Sequence, residues 1–200
     1  MSTPGDLREH PALAPLRNRL ASHQPSEAEQ LEARRAAVAL ILRLGESDEP
    51  EIFFIQRAEY PTDPWSGQVA FPGGREEEGD RSLVDTAVRE TLEETSLDLA
   101  ELGEVIGQLD DLRPMTVRLP AVVVRPYVFL IGRHPEPALS SEVADSFWVP
   151  VRTLRDDTGW RDTVVTARGM EFTRRAFHHS GFVVWGMTER ILSGFLALTS

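Results

Sequence analysis

The chain has 200 residues, with 21 basic side chains against 32 aspartates and glutamates, a formal charge of −11. That length allows one domain of ordinary size with a real core, and the acidic field opposes attraction to nucleic acid or anionic lipid. The absence of cysteine excludes disulfides and thiol catalysis; with no signal-peptide core and no apolar run of membrane-spanning length, the expected location is cytoplasmic.

Residues 1–35 are polar and proline-punctuated and read as an N-terminal arm or short helices, with Leu13, Leu16 and Leu20 at helical spacing. Residues 36–200 read as the folded domain. Its apolar run 36–44 predicts a buried strand, with 51–57 as its hairpin partner across 45–50, and 68–71 predicts a short strand feeding the Gly73-Gly74 turn. A helix follows. Val84, Val88 and Leu92 form one stripe with Leu83, Ala87 and Thr91 beside it, and Ser82 with Asp85 resembles a capping box, Asp80 being a second N-cap candidate. Strands are expected near 102–109, 119–131 and 147–151, with a loop at 132–142 and two more strands between 162 and 184. An amphipathic helix at 187–198, with Ile191, Phe195 and Leu196 on its apolar face, closes the chain. This order implies an α+β fold, a mixed α/β sandwich.

The first helix carries the chemistry. Glu90, Glu93 and Glu94 stand at i, i+3 and i+4, so a helix projects three carboxylates from neighbouring positions. Their repulsion is relieved by a divalent cation, and oxygen-only ligation without cysteine or histidine suits Mg²⁺ or Mn²⁺. Arg89 can reach Glu93, or another carboxylate of the cluster, and fix its rotamer. Taken alone, the cluster fits a solvated acidic helix face better than a metal site, and it is the Gly73-Gly74 turn at a fixed distance upstream that shifts the balance.

Gly74, Arg89, Glu90, Glu93, Glu94 and Leu97 together resemble the signature of the Nudix hydrolases, Gly-x5-Glu-x7-Arg-Glu-U-x-Glu-Glu-x-Gly-U, where U is a bulky apolar residue. Here the gap from Gly74 to Arg89 is one residue longer, Asp80 stands where the first glutamate would fall, and Ser96 replaces the last glycine. The longer gap with aspartate is similar to the coenzyme A pyrophosphatase branch. So are Ile52 to Arg57, the run from Ser66 to Gly74, Ser141-Glu142-Val143, Phe147 to Pro150 and Trp185 to Leu192. Between Arg57 and Gly67 the branch carries basic residues, whereas this chain has Glu59, Asp63 and Pro64.

The resemblance, which covers about residues 36–196, implies a Nudix fold: a central mixed sheet with the signature helix and the C-terminal helix packed on it. It implies Mg²⁺ or Mn²⁺ held by Glu90, Glu94, Glu93 and a backbone carbonyl at Gly73. It gives catalytic roles to Glu93 and Arg89, and to Glu142 as a base outside the helix, although Glu142 also fits an ordinary surface carboxylate. Arg57 and Gly74 would meet the substrate. The implied activity is hydrolysis of a pyrophosphate in a nucleoside diphosphate linked to another moiety: coenzyme A or a derivative, with ADP-ribose, nucleotide sugars and nucleoside di- or triphosphates as alternatives. A Nudix-shaped module that binds a nucleotide without cleaving it is the alternative of another class. Glu76-Glu77-Glu78 read as a solvated loop, His178-His179 as ordinary sheet positions, Trp65 and Tyr60 as stacking or anchoring groups, and Trp185 as core.

Overall fold

The structure is a computed structural model that describes residue 7 and residues 10–28, 33–60, 65–113, 122–132, 136–167 and 170–200. A seven-stranded mixed sheet is its spine. Strands β1 (Arg34–Leu44), β2 (Pro50–Arg57), β3 (Val69–Ala70), β4 (Gly73–Arg75), β5 (Gly103–Gln108), β6 (Val122–Ile131) and β7 (Val143–Pro150) form it, in the order β3-β2-β1-β6-β5 with β4 added to β1 and β7 to β2. β1 and β6 run parallel, and the other pairs are antiparallel. The expected hairpin forms, with Leu42 opposite Ile52 and Leu44 opposite Pro50.

Residues 36–42 of β1 and 52–55 of β2 are unbroken apolar runs because both faces of the sheet are covered there. Leu40, Leu42, Leu44, Ile52 and Phe54 enter one core, and Ala37, Ala39, Ile41, Phe53 and Ile55 enter the other. Helices α1 (Ala14–Ser22) and α5 (Gly186–Leu198) supply the first core with Leu16, Leu20, Ile191, Leu192 and Phe195. Helix α2 (Leu83–Thr95) and the short α3 (Leu99–Leu102) supply the second with Leu83, Ala87 and Leu99. The α+β sandwich read from the sequence is the observed architecture. A separate three-stranded sheet, β8 (Trp160–Ala167), β9 (Met170–His179) and β10 (Phe182–Val184), lies beside it.

Near the N-terminus, Leu13, Leu16 and Leu20 are buried, each contributing about 1.5–3 kcal/mol by transfer from water. The segment after α1 is strapped to the sheet. The Ser26 amide donates to Asp110 and the Ala28 amide to Asp111, whose buried carboxylate also takes two bonds from Arg125.

Several expectations change in detail. α2 buries Leu83, Thr86, Ala87, Thr91, Glu94 and Thr95, while Val84 and Val88 are half-buried and Leu92 is 43% exposed. The buried stripe is therefore the neighbouring one. Threonines can occupy it because Thr91 donates to the Ala87 carbonyl and Thr95 to the Thr91 carbonyl, so neither hydroxyl is orphaned. Val151 begins helix α4 (Val151–Arg155) instead of ending a strand, since Pro150 lacks the N–H that would extend the ladder and its fixed φ suits a helix entry. Trp185 is half-buried at the N-cap of α5. Of the strand expected at 119–131, residues 122–131 are β6, and 119–121 lie outside the described residues.

Candidate active site

Two local devices place the carboxylates. The first is the glycine turn. Gly73 has φ +150°, and a Cβ there would collide with the Ala37 carbonyl; a Cβ on Gly74 would collide with the carboxylate of Glu90. Only glycine lets the strand lie this close to both β1 and α2. The second device is the pair of helix caps. Ser82 caps the start, its Oγ accepting from the Asp85 amide at 3.3 Å. Ser96 ends the helix at φ 58° in the left-handed region, and its hydroxyl donates to the Ala138 carbonyl.

Beyond the cap, the loop before β7 supplies donors to the last turn of α2. The Ser140 amide donates to the Glu94 carbonyl and the Ala138 amide to the Thr95 carbonyl, satisfying two orphan carbonyls. The same loop reaches β2. The Ala58 amide donates to the Glu142 carbonyl at 2.8 Å, and the Tyr60 hydroxyl donates to the Ser141 carbonyl. Sequence spacing gave no sign of this docking, which brings Glu142, Arg57 and Glu94 into one neighbourhood.

Glu94 is the centre of it. Its Oε2 accepts the Gly73 amide at 3.0 Å, its Oε1 lies 3.7 Å from Nη1 of Arg57, and its side chain is 5% exposed. Burial pushes its pKa up to about 7; the Gly73 bond and Arg57 oppose that rise, while the charges of Glu90 and Glu142 add to it. Glu90 is half-buried and is also raised by burial, against the pull of Arg89.

Arg89 is a hub. It makes a two-bond fork to Asp80, with both distances 3.0 Å, and donates to Glu90 at 3.0 Å, to Glu93 at 3.4 Å and to the Arg75 carbonyl at 2.9 Å. Asp80 is not the helix cap. It accepts from Arg89, the Thr86 hydroxyl and the Glu77 amide, which hold its carboxyl well below the usual carboxylate range.

The structure thus brings Gly73, Gly74, Arg57, Glu90, Glu94 and Glu142 together, with Arg89 behind them. Glu93 sits on the rim, its side chain 58% exposed and leaning toward Arg89. Among the described residues no three acidic or histidine side chains converge on a single point. Even so, the donor set fits a hard divalent cation. It is oxygen-only, and Glu90 and Glu94 both contact the glycine turn. A cation beside the under-neutralised Glu94 would favour its charged form.

Other sequence candidates fall away from this cluster or anchor its edges. Glu77 and Glu78 are exposed, and Glu76 pairs with Arg35 at 3.5 Å. Tyr60 anchors the loop through its hydroxyl. His178 contacts the Thr163 hydroxyl at 2.7 Å in the separate small sheet. No helix among the described residues is long and apolar enough to cross a membrane.

The family model for the NUDIX domain matches residues 33–168. An uncharacterized protein of Schizosaccharomyces pombe, C14C4.10c, is 34% identical over 155 residues, 68% of this chain and 47% of that protein. The chain therefore spans about half the length of that yeast relative. An uncharacterized Nudix hydrolase of Photorhabdus laumondii, NudL, is 27% identical over 175 residues, 88% of this chain and 91% of that one. Among solved structures, a MutT/nudix family protein from Enterococcus faecalis superposes with a TM-score of 0.55 at 20% identity, over 96% of this chain and 71% of that one. An Ap4A hydrolase of C. elegans superposes with a TM-score of 0.51 at 20% identity, over 61% and 83%. These two share the fold.

Proposed function

The chain belongs to the Nudix family of hydrolases, and from that premise we propose that it hydrolyses, with Mg²⁺ or Mn²⁺, the pyrophosphate of a nucleoside diphosphate linked to another moiety. The observation that carries this reading is Glu94, buried against the Gly73 amide with Glu90 beside the same turn. Glu90, Glu94, the rim carboxylate Glu93 and the backbone at Gly73 are the groups that would hold the ion. When bound, the ion supplies charge neutralisation for the pyrophosphate and lowers the pKa of the attacking water.

The protein's own part is positioning. The Gly73 amide fixes one oxygen of Glu94. Arg89, itself anchored by the two bonds it donates to Asp80, fixes Glu90. In the reaction, water adds to one phosphorus, the bridging P–O bond breaks, and two phosphate monoesters leave. The proton released by the water goes to a carboxylate, and Glu142 is our choice. Its charge is felt at Glu94, and its backbone is held by Ala58. Substrate positioning and fixed charge carry the rate in such displacements.

Within this class we take coenzyme A or a derivative as the substrate, on the strength of the run from Ser66 to Gly74, Ser141-Glu142-Val143 and Trp185 to Leu192. The test is a phosphate-product screen across coenzyme A, ADP-ribose, nucleotide sugars and nucleotides, with Mg²⁺, Mn²⁺ or excess chelator. Cleavage of a pyrophosphate-linked nucleotide that stops in chelator and returns with either ion is the expected result. Full turnover in chelator would refute the metal mechanism, and no turnover on any compound would favour a binding module.

A further inference from the structure

The run from Trp185 to Leu192 forms the cap and first turns of α5, and no step of the proposed hydrolysis uses it. It makes one polar contact that crosses the fold. Thr188 is buried, and its hydroxyl donates to the Val69 carbonyl at 2.9 Å, joining residues 119 positions apart. The sheet explains why that carbonyl is available. β3 ends the order β3-β2-β1-β6-β5, so β2 is its one strand partner among the described residues. The Gln68 carbonyl turns toward β2 and accepts the Arg57 amide at 3.0 Å. Successive carbonyls point to opposite edges of a strand, so that of Val69 faces away from β2. Val69 is 5% exposed, and a buried backbone carbonyl needs a donor; Thr188 supplies it.

β3 feeds the glycine turn directly. It is only two residues long, Val69 and Ala70, which pair with Gln56 and Ile55. Phe71 follows, its ring stacked on Phe54 at 5.0 Å, and the Pro72 carbonyl accepts the Ala39 amide at 2.8 Å. The next amide is that of Gly73, which donates to Glu94 at 3.0 Å. This short lead-in is thus held by β2 through Arg57, by β1 through Ala39 and, from outside the sheet, by α5 through Thr188. α5 is seated independently of that contact, with Ile191, Leu192 and Phe195 in the core, so it offers β3 a fixed post.

We infer that Thr188 is a positioning residue for Glu94: its hydroxyl fixes β3 so that the Gly73 amide meets the Glu94 carboxylate, and through that bond it sets the cation site. Without the hydroxyl, the Val69 carbonyl is left buried and unpaired, and β3 relieves this by shifting toward water. The first functional group downstream of such a shift is the backbone of Gly73, four positions on. The inference deepens the function proposed above and rests on that reading only in taking Glu94 and the Gly73 backbone as holders of the ion.

Two readouts test this, and neither needs turnover: hydrogen exchange of the Gly73 amide by NMR in metal-free protein, and Mn²⁺ affinity by electron paramagnetic resonance. Thr188→Val keeps the shape and removes the hydroxyl. Its Gly73 amide exchanges about fivefold faster and its Mn²⁺ affinity falls about fivefold, the equilibrium worth of one net hydrogen bond. Thr188→Ser keeps the hydroxyl and stays near the wild type in both. Thr199→Val removes a buried hydroxyl at the far end of α5, where it donates to the Phe195 carbonyl at 2.8 Å; it lowers the melting temperature and changes neither readout. Wild-type exchange at Gly73, or wild-type Mn²⁺ affinity, in Thr188→Val overturns the inference. So does an equal change in Thr199→Val, which would mean general loosening, and so does a serine variant no better than the valine one. Thr188→Ser against Thr188→Ala, which differ only by the hydroxyl, repeats the comparison if the valine variant does not fold. No Mn²⁺ binding by the wild-type protein would sink the proposed function instead, and Gly73 exchange would still decide whether Thr188 places that amide.

Discussion

Asp80, just before α2, and Glu94, near its end, each have a side chain 5% exposed, yet Asp80 lies nearer the surface than the buried Glu94, and their partners treat them in opposite ways. Asp80 receives two bonds from Arg89, one from the Thr86 hydroxyl and one from the Glu77 amide, and its carboxyl is held well below the usual range. Glu94 receives one backbone amide and a guanidinium at 3.7 Å, and burial pushes it up to about 7. A hidden carboxylate whose acceptors are all filled is a structural part. One left short of donors keeps its lone pairs for a ligand, and a perturbed pKa in such a place marks a candidate for chemistry.

The largest break in this contrast comes from Glu94→Gln. The change keeps shape and removes charge, so kcat should fall by roughly 10²-fold or more while the fold survives. Steady-state rates beside a thermal unfolding curve check both halves, and an unchanged kcat would contradict the assignment.

Asp80→Asn should act on stability first. It strips Arg89 of its main partner in a largely hidden position, which costs about 2–4 kcal/mol, read from denaturant midpoints. A loss below about 0.5 kcal/mol would mean that the fork is ornamental. Activity should fall too, since Arg89 would no longer be held against Glu90.

The two carboxylates also give pH responses of opposite sign. Glu94 has a folded pKa of about 7 against 4.5 for the free side chain, so the folded state holds the extra proton between those values. Without divalent ion, its contribution to stability is fully present below pH 4.5 and is lost as pH rises through 7, about 3 kcal/mol in all. Asp80 contributes above the ordinary carboxylate range and is lost only in strong acid. Unfolding free energies of wild type and Glu94→Gln across this window isolate the first effect. A flat difference between the two proteins would show that Glu94 does not titrate there.

The smallest effect is expected at Glu77, which is exposed and 4.0 Å from Arg89. Glu77→Gln should change kcat by less than about twofold. A change as large as that at Glu94 would show that the whole acidic face contributes, and the contrast would dissolve.

Much of this arrangement was legible in the sequence, for identifiable reasons. The β1–β2 hairpin, the glycine turn and the Ser82 cap are local features with local causes, and spacing alone locates them. The stripe on α2 was misplaced by one position because apolar character was taken as the sign of burial. Thr91 and Thr95 instead carry their own hydrogen bonds into the core. The Asp80–Arg89 fork joins the loop just before α2 to a helix residue nine positions on, a pairing no periodicity reveals. The docking of Ser140 on the Glu94 carbonyl and of Glu142 on Ala58 joins segments far apart in sequence, and only the folded chain brings them together.

Glu94 is a carboxylate kept for a cation, and Mn²⁺ binding followed by electron paramagnetic resonance tests that without any substrate. The wild-type protein should bind Mn²⁺, Glu94→Gln should bind it at least about tenfold more weakly, and Glu77→Gln should match the wild type. Equal Mn²⁺ affinity in wild type and Glu94→Gln would contradict the central claim.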